Sequence, residues 1–219
     1  MFDNLSENTN SSLKKFEQML KTNKVFFFDA LEFENIIHHY IDFAEFSLAK
    51  KALKMGMEQH PQNVELMLLK SEILQFDGAH KQAEDLLFEI ERISPKHEEI
   101  FLQRANIYSK KKDHSNAIHL LEKALDLTDE PFEIWSLLGM EHLFLEDYNK
   151  AKEYFYKCVK NNVLDYSSLY NLLHCNEQVG QYTESISVLN DLLEINPYSE
   201  VAWHQLGKVY IKLNKPEEA

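Results

Sequence analysis

Histidines and carboxylates are the side chains of this chain that could hold a metal ion. Two pairs have the i,i+4 spacing that places both side chains on one face of a helix: His38 with Asp42, and His142 with Glu146. Each pair supplies two ligands, whereas structural and catalytic zinc sites use three or four. The adjacent His38 and His39 would point about 100° apart on a helix and could not share a metal comfortably. We therefore expect no metal and no other cofactor.

A catalytic constellation is equally hard to find in the sequence. It contains no Gly-rich phosphate loop, no G-x-S-x-G turn around a nucleophile and no H-E-x-x-H zinc motif. The many carboxylates cannot be paired into a hydrolase dyad, and a solvated acidic surface explains them. We predict that the protein is not an enzyme, while an enzyme with a cryptic site in a groove stays as an alternative.

Charge and cysteine content narrow the class of protein further. The formal net charge of −13 disfavours binding to nucleic acid, which is itself a polyanion. Cys158 and Cys175 do not make a disulfide framework and are expected to be small buried thiols. No apolar run has the length of a membrane span, and the first ten residues lack the basic and apolar regions of a signal peptide. The simplest interpretation is a cytoplasmic protein without membrane contacts.

A period of 34 residues, unbroken by insertion or deletion, organises the chain from residue 30 onward. The unit that starts at Glu200 has Trp203, Leu206, Gly207 and Tyr210 at positions 4, 7, 8 and 11. This W-x2-L-G-x2-Y pattern, followed by A-x3-F and Pro, resembles the tetratricopeptide repeat, or TPR. The resemblance covers residues 30–219. It implies an all-α fold, the right-handed α-α superhelix or TPR solenoid of antiparallel helix pairs.

Several residue types recur in phase with this period. Position 20 is always small, which lets the second helix of a pair approach the first: Ala49, Ala83, Ala117, Ala151, Ser185 and Ala219. Gly78 and Gly180 fall at position 15, where a left-handed residue between the helices is expected. His80 and His114 stand at position 17, where other units have Phe or Tyr, so we expect them to replace a packing aromatic.

The domain organisation follows from the same register. Residues 1–29 are predicted to be a polar tail, disordered or frayed up to residue 12, followed by a capping helix over 12–22. Asp29 and Glu32 form a predicted capping box at the start of the array. The units are 30–63, 64–97, 98–131, 132–165, 166–199 and an incomplete unit 200–219.

A binding surface can be placed by helix geometry. Positions 2, 5, 9, 12 and 13 of each first helix point away from the core positions and should face solvent. The resemblance implies that this surface is a concave groove that receives an extended peptide or a partner helix. The candidate groove residues are Glu34, His38, Glu65, Leu68, Glu72, Phe76, Leu102, Asn106, Met140, Phe144, Tyr170 and His174.

The character of this surface suggests two interpretations. One is an apolar groove with an acidic rim that accepts a basic amphipathic segment. The other is that the apolar residues only contact neighbouring helices. A two-carboxylate clamp for a chaperone C-terminus is not expected, because only Asn106 resembles a residue of that clamp.

The incomplete last unit leaves Trp203, Leu206 and Tyr210 without the second helix that would cover them. We therefore expect a piece of a longer protein that can self-associate through this end. The predicted function is a non-catalytic scaffold or adaptor that binds a protein or peptide. The alternative is a regulatory or partner-sensing module of a longer multidomain protein.

Overall fold

The computed structural model describes residues 2–22, 25–215 and 217. Within these residues the chain consists of helices and the short segments that connect them, with no β-strand. The described helices are α1 (Phe2–Thr22), α2 (Ala30–Asp42), α3 (Phe46–Gln59), α4 (Val64–Phe76), α5 (His80–Ile93), α6 (Glu98–Lys110), α7 (His114–Leu125), α8 (Phe132–Phe144), α9 (Tyr148–Asn161), α10 (Tyr166–Gln178), α11 (Tyr182–Ile195) and α12 (Glu200–Lys212).

The even-numbered helices from α2 onward are the first helices of the predicted pairs, and each begins at position 1 of its unit. Local capping fixes these starts. Asp29 Oδ1 accepts from the backbone N–H of Glu32 at 2.7 Å, and Glu32 Oε2 accepts from the N–H of Asp29 at 3.0 Å. The predicted capping box is therefore confirmed. Asn63, Asp165 and Ser199 cap α4, α10 and α12 through their side-chain oxygens in the same way.

Each first helix is followed by one left-handed residue at position 15. Gly78 and Gly180 have φ of 76° and 73°, as predicted. The other four units have a residue with a Cβ there: Ala44, Lys112, Glu146 and Asn214, with φ between 56° and 61°. In each turn the N–H of position 16 donates to the carbonyl of position 11, at distances of 2.7 to 3.0 Å. This bond satisfies a carbonyl that the helix end would otherwise leave without a partner.

The chain divides into two compact units, unit 1 over Met1–Ile107 and unit 2 over Tyr108–Ala219. The core of unit 1 contains Phe16, Phe28, Phe33 and Leu66, and a second cluster surrounds Leu87. The core of unit 2 runs through α9 to α12. The small residues of position 20 are buried from Ala49 to Ser185, as the predicted close approach of paired helices requires. Ala219 lies outside the described residues.

Helix α1 departs from the expectation at the N-terminus. The prediction of a disordered or frayed segment up to residue 12 is wrong for the described residues, since α1 begins at Phe2. Asn, Ser and Thr each cost less than about 0.7 kcal/mol in a helix relative to Ala, and extending an existing helix avoids a new nucleation step. The predicted segment 12–22 anchors α1: Phe16 is fully buried against Phe28 and Tyr40, and Ser12 donates to Glu32 Oε1 at 2.7 Å.

Candidate functional site

The surface of the first helices separates into an exposed strip and a covered flank. Position 13 is exposed in all six first helices, and position 9 in all but one. Positions 5 and 12 lie only about 90–110° from the centre of the core face, because successive residues turn by 100°. They are half-buried or buried in α2, α4, α6 and α8. The residues that a partner could reach are therefore mainly those at positions 2, 9 and 13, which we call the first-helix face.

Leu68 is the predicted groove residue that the structure places elsewhere. Its side chain is 3% exposed and belongs to the core cluster with Leu87 and Ile100. Its own carbonyl accepts from Gln103 Nε2 at 3.3 Å, and the same Gln103 accepts from the buried Gln75 at 3.1 Å. Helix α6 therefore covers this flank of α4. The prediction that Leu68 faces a groove is wrong, and the interpretation as an inter-helix contact holds for this residue.

In unit 1 the first-helix face is acidic. His38, Glu65, Glu72, Phe76 and Asn106 are exposed, whereas Glu34 and Leu102 are half-buried. Partial burial, the charge of Glu65 and the charge of Asp29, in that order, raise the pKa of Glu34. Glu65 Oε1 also lies 3.0 Å from His97 Nε2. A cationic group placed here would relieve the repulsion between the carboxylates.

An aromatic residue stands at the end of this acidic face. Phe76, at position 13 of α4, is 64% exposed. Its ring stacks on that of Phe46, the position 17 residue of the preceding pair, with centroids 4.1 Å apart and planes at 18°. The contact restricts the Phe76 rotamer, so the exposed ring is presented in a fixed orientation.

The first-helix face of unit 2 also has an exposed phenylalanine stacked on the position 17 ring of the preceding pair, with fewer carboxylates around it. Phe144, at position 13 of α8, is 56% exposed and stacks on the ring of His114 with centroids 5.0 Å apart and planes at 27°. His114 Nδ1 lies 2.7 Å from Glu141 Oε2, which holds the imidazole in place. The predicted replacement of a packing aromatic by His114 is confirmed. On the same face, the Nδ2 of Asn171 lies 3.6 Å from the Sδ of the half-buried Met140.

Further along unit 2 the face becomes basic. Tyr170 and His174 of α10 and Lys208 of α12 line a pocket of about 150 Å³. Tyr148 contacts His174 edge to face, with centroids 6.1 Å apart. Lys212 forms an ion pair with Glu177 at the same pocket. The exposed Lys208 is thus available to an acceptor group on a ligand.

Comparisons with known proteins decide the family. The sequence profile described as "Tetratricopeptide repeat" matches residues 98–131, 132–162, 166–199 and 201–219, more than half of the chain. The chain belongs to the tetratricopeptide repeat family. The predicted fold class, the all-α TPR fold, is confirmed by this match and by the helices described above. Membership also supports a role as a protein-interaction scaffold, and TPR proteins are in general non-catalytic.

The relatives include one curated protein and many solved TPR structures. Anaphase-promoting complex subunit 3 of Schizosaccharomyces pombe is 32% identical over 107 residues, which are 48% of this chain and 16% of that protein. The structure of Pseudomonas aeruginosa PilF has a TM-score of 0.68 at 18% identity, over 86% of this chain and 87% of that one. The TPR protein YrrB, whose structure is described as having an unusual peptide-binding site, has a TM-score of 0.60 at 19% identity, over 76% of this chain and 86% of that one.

His142 and the two cysteines take structural positions in this TPR chain. His142 is buried and stacks on Tyr154 with planes at 12°, and its Nδ1 lies 3.6 Å from Asp147 rather than beside Glu146. Burial lowers the pKa of His142. The described residues contain no group of three or more potential metal ligands. Cys158 and Cys175 are free and buried, and burial raises the pKa of both, that of Cys175 to about 11, as expected for inert thiols.

Among the described residues, no helix combines the length and the apolar character that a membrane span needs.

Proposed function

We propose that this TPR protein is a non-catalytic scaffold that binds a peptide or protein segment on the first-helix face. The observation that carries the proposal is the pair of exposed phenylalanines, Phe76 and Phe144, each fixed by a ring stacked on it. Interface anchors are typically aromatic side chains that lose little conformational freedom on binding.

The two units favour segments of different character. In unit 1 the carboxylates Glu34, Glu65 and Glu72 accompany Phe76, which suits a basic amphipathic segment with an apolar residue in contact with the ring. In unit 2, Met140, Phe144 and Tyr170 offer apolar contacts beside the cationic Lys208, which suits a segment that combines apolar and acidic residues. The peptide-binding site described for YrrB supports peptide binding by a chain of this fold.

The experiment selects peptides on the intact chain and then removes the anchors one at a time. Random peptides displayed on phage are selected, and the affinity of the recovered peptides is measured by fluorescence anisotropy. Phe76→Ala and Phe144→Ala should each weaken binding of the peptides that contact their unit by about tenfold or more, the loss that truncating an interface anchor causes. Phe88→Ala is the matched control, because Phe88 is an exposed phenylalanine on the second helix α5. Equal affinity of all four proteins would contradict the proposal.

Charge reversal tests the preference of unit 1. Glu72→Lys on the first-helix face should weaken binding of basic peptides, and the loss should shrink as salt screens the charges. Glu58→Lys reverses an exposed carboxylate on the second helix α3 and serves as control. Basic peptides that bind Glu72→Lys as well as the unchanged protein would refute the proposed preference of unit 1 for basic segments.

A second candidate is a subunit of a larger assembly, including contacts between copies of the chain. It is favoured by the relative in Schizosaccharomyces pombe, which by its name is a subunit of a complex. The exposed side chains Tyr198, Trp203 and Ile211 could supply the contact surface. Analytical ultracentrifugation over a range of protein concentrations tests self-association. A dimer that Trp203→Ala weakens would support self-association, and a monomer at every concentration would exclude it.

A further inference from the structure

Unit 2 has a second recess on the side away from the first-helix face. It lies between α9 and α11, and its floor consists of Leu172 and Asn176, which occupy core-facing positions 7 and 11 of α10. Its volume is about 330 Å³. That volume is at the lower end of the range for small-molecule sites, so the recess can take a side chain or a small ligand but no helix.

Asn176 supplies the observation that points to a ligand. Its side chain is only 1% exposed, and its Nδ2 donates to Ser185 Oγ at 3.3 Å. Its Oδ1 accepts no hydrogen bond from the part of the chain that the structure describes. A buried acceptor left without a donor costs about 1–3 kcal/mol. A ligand that brings an N–H donor to the floor of the recess would remove this cost.

The rim of the recess is negatively charged. Three carboxylates, Glu153, Glu184 and Asp191, face one cation, Lys152. The ammonium of Lys152 is already engaged, since it donates to Gln181 Oε1 and, at 3.1 Å, to Glu184 Oε2. Glu153 and Asp191 are both exposed and form no ion pair with any described residue. The two carboxylates and the buried Oδ1 are all acceptors, so the complementary ligand is a cation with several donors.

We propose that this recess binds the guanidinium side chain of an arginine presented by a protein partner. A guanidinium carries five N–H donors in a planar fork, so it offers separate donors to the Asn176 Oδ1 and to a rim carboxylate. The single ammonium nitrogen of a lysine has no such span. The ring of Tyr156 lines the recess and offers a face for the planar group, and Leu172 and Val188 can contact the methylenes. This site is separate from the first-helix face and does not depend on the function proposed there.

The test uses the full chain, labelled with ¹⁵N, and follows its backbone and Asn176 side-chain amide signals during titration. The probe is N-acetyl-arginine amide, and its isosteric neutral control is N-acetyl-citrulline amide. We expect saturable shifts at α9, α11 and the Asn176 side chain with the arginine probe, and much smaller shifts with citrulline. Equal shifts for the two probes, or shifts confined to the first-helix face, would overturn the proposal. Tighter binding of agmatine than of the arginine amide would overturn the assignment to a side chain of a protein partner.

Two variants test the residues of the site. Asp191→Asn removes a rim charge at an exposed position and should weaken binding of the arginine probe about threefold to tenfold. The control Glu122→Gln, on the second helix α7 outside the recess, should leave the affinity for this probe unchanged. Asn176→Leu replaces the buried acceptor by an apolar group of similar size and should abolish the preference for arginine over citrulline. If Asp191→Asn binds as tightly as the unchanged protein, or if Asn176→Leu is folded and still prefers arginine, the proposed site is wrong.

Discussion

The ring of Phe46 lies parallel to the ring of Phe76, one pair of helices further along the chain, with their centroids 4.1 Å apart. The equivalent residues of the later pairs, His114 and Phe144, are stacked in the same way. Position 17 of one pair thus supports position 13 of the next. The contact links two repeats and at the same time fixes the aromatic side chain that the partner would meet.

Loss of the supporting ring should reduce both stability and binding. For Phe46→Ala we expect the free energy of unfolding to fall by about 1–2 kcal/mol, from the lost ring contact and the lost apolar burial. Peptides that contact Phe76 should also bind more weakly, although Phe46 is not on the first-helix face. Urea denaturation followed by circular dichroism gives the first quantity and anisotropy the second. Phe46→His, which copies His114, should retain most of both; a loss as large as that of the alanine variant would contradict the supporting role.

The left-handed residue at position 15 offers a stabilising change. Glu146 has φ of 58° and is exposed. A residue with a Cβ is destabilised by about 1–2 kcal/mol in this conformation. Glycine avoids this strain, but the greater conformational freedom of its unfolded chain offsets part of the gain. Glu146→Gly should therefore raise the free energy of unfolding by about 0.5–1 kcal/mol. Glu146→Ala keeps the strained conformation and controls for loss of the carboxylate. A stability gain of the same size in the alanine variant would show that the backbone is not the cause.

Gly139 and Phe155 should behave as a coupled pair. A Cβ built on Gly139 would lie 2.7 Å from Phe155 Cε1, and the Phe155 ring is fully buried and cannot move aside. Gly139→Ala should destabilise the protein by about 1–3 kcal/mol. In the background Phe155→Leu, which restores the residue type of the other units at position 24, the same change should cost much less. A double-mutant cycle measured by urea denaturation gives the coupling, and additive effects would contradict the close contact.

The start and end of each helix in the repeats were predictable from the sequence, but the burial of one side of a first helix by the next first helix was not. The period and the boundary residues indicated where Ala30 and Glu200 begin helices, because capping and turn preferences are local. The Leu68 side chain is buried in a cluster that includes Ile100 of α6, and Gln103 of the same helix, 35 residues after Leu68, donates to the Leu68 carbonyl. A helical projection of one helix contains no information about its neighbour. Positions 5 and 12 of α2, α4, α6 and α8 are therefore the ones for which angular position alone gives the wrong environment.

The recess between α9 and α11 shows the same limit for a site. Asn176 occupies position 11, where the last unit has Tyr210, and its polar side chain at a core position was a signal available in the sequence. That its Oδ1 lacks a donor depends on where Ser185 places its hydroxyl. Gly56 stands at position 27, where the next three units have the larger residues Ile90, Ala124 and Cys158. A Cβ on Gly56 would lie 3.0 Å from the Phe33 ring, a contact that the sequence alone does not show.

Glu34 should contribute a measurable pH dependence. Burial and the charges of Glu65 and Asp29 raise its pKa on folding. The folded protein then holds this proton more tightly than the unfolded chain, so the contribution of Glu34 to stability is greatest at low pH and is lost as the pH rises through its folded pKa. Glu34→Gln should therefore become increasingly more stable than the unchanged protein between acidic and neutral pH. Denaturation at a series of pH values measures the difference, which Glu65→Gln should reduce by removing one cause of the shift. A difference that does not vary with pH would contradict the assignment.

Cys175 should be unreactive until the protein unfolds. Burial raises its pKa to about 11, so at pH 8 about one thiol in a thousand is ionised, compared with about a quarter for an unperturbed cysteine. In a Cys158→Ser variant, which leaves Cys175 as the sole thiol, iodoacetamide labelling followed by mass spectrometry should be at least about a hundredfold slower in buffer than in urea. The rate in buffer should rise on adding urea in parallel with the loss of helical signal, because opening of the α10 core is the step that exposes the sulfur. Labelling at the rate of the unfolded chain under native conditions would show that Cys175 is accessible, and would contradict its place in the core of unit 2.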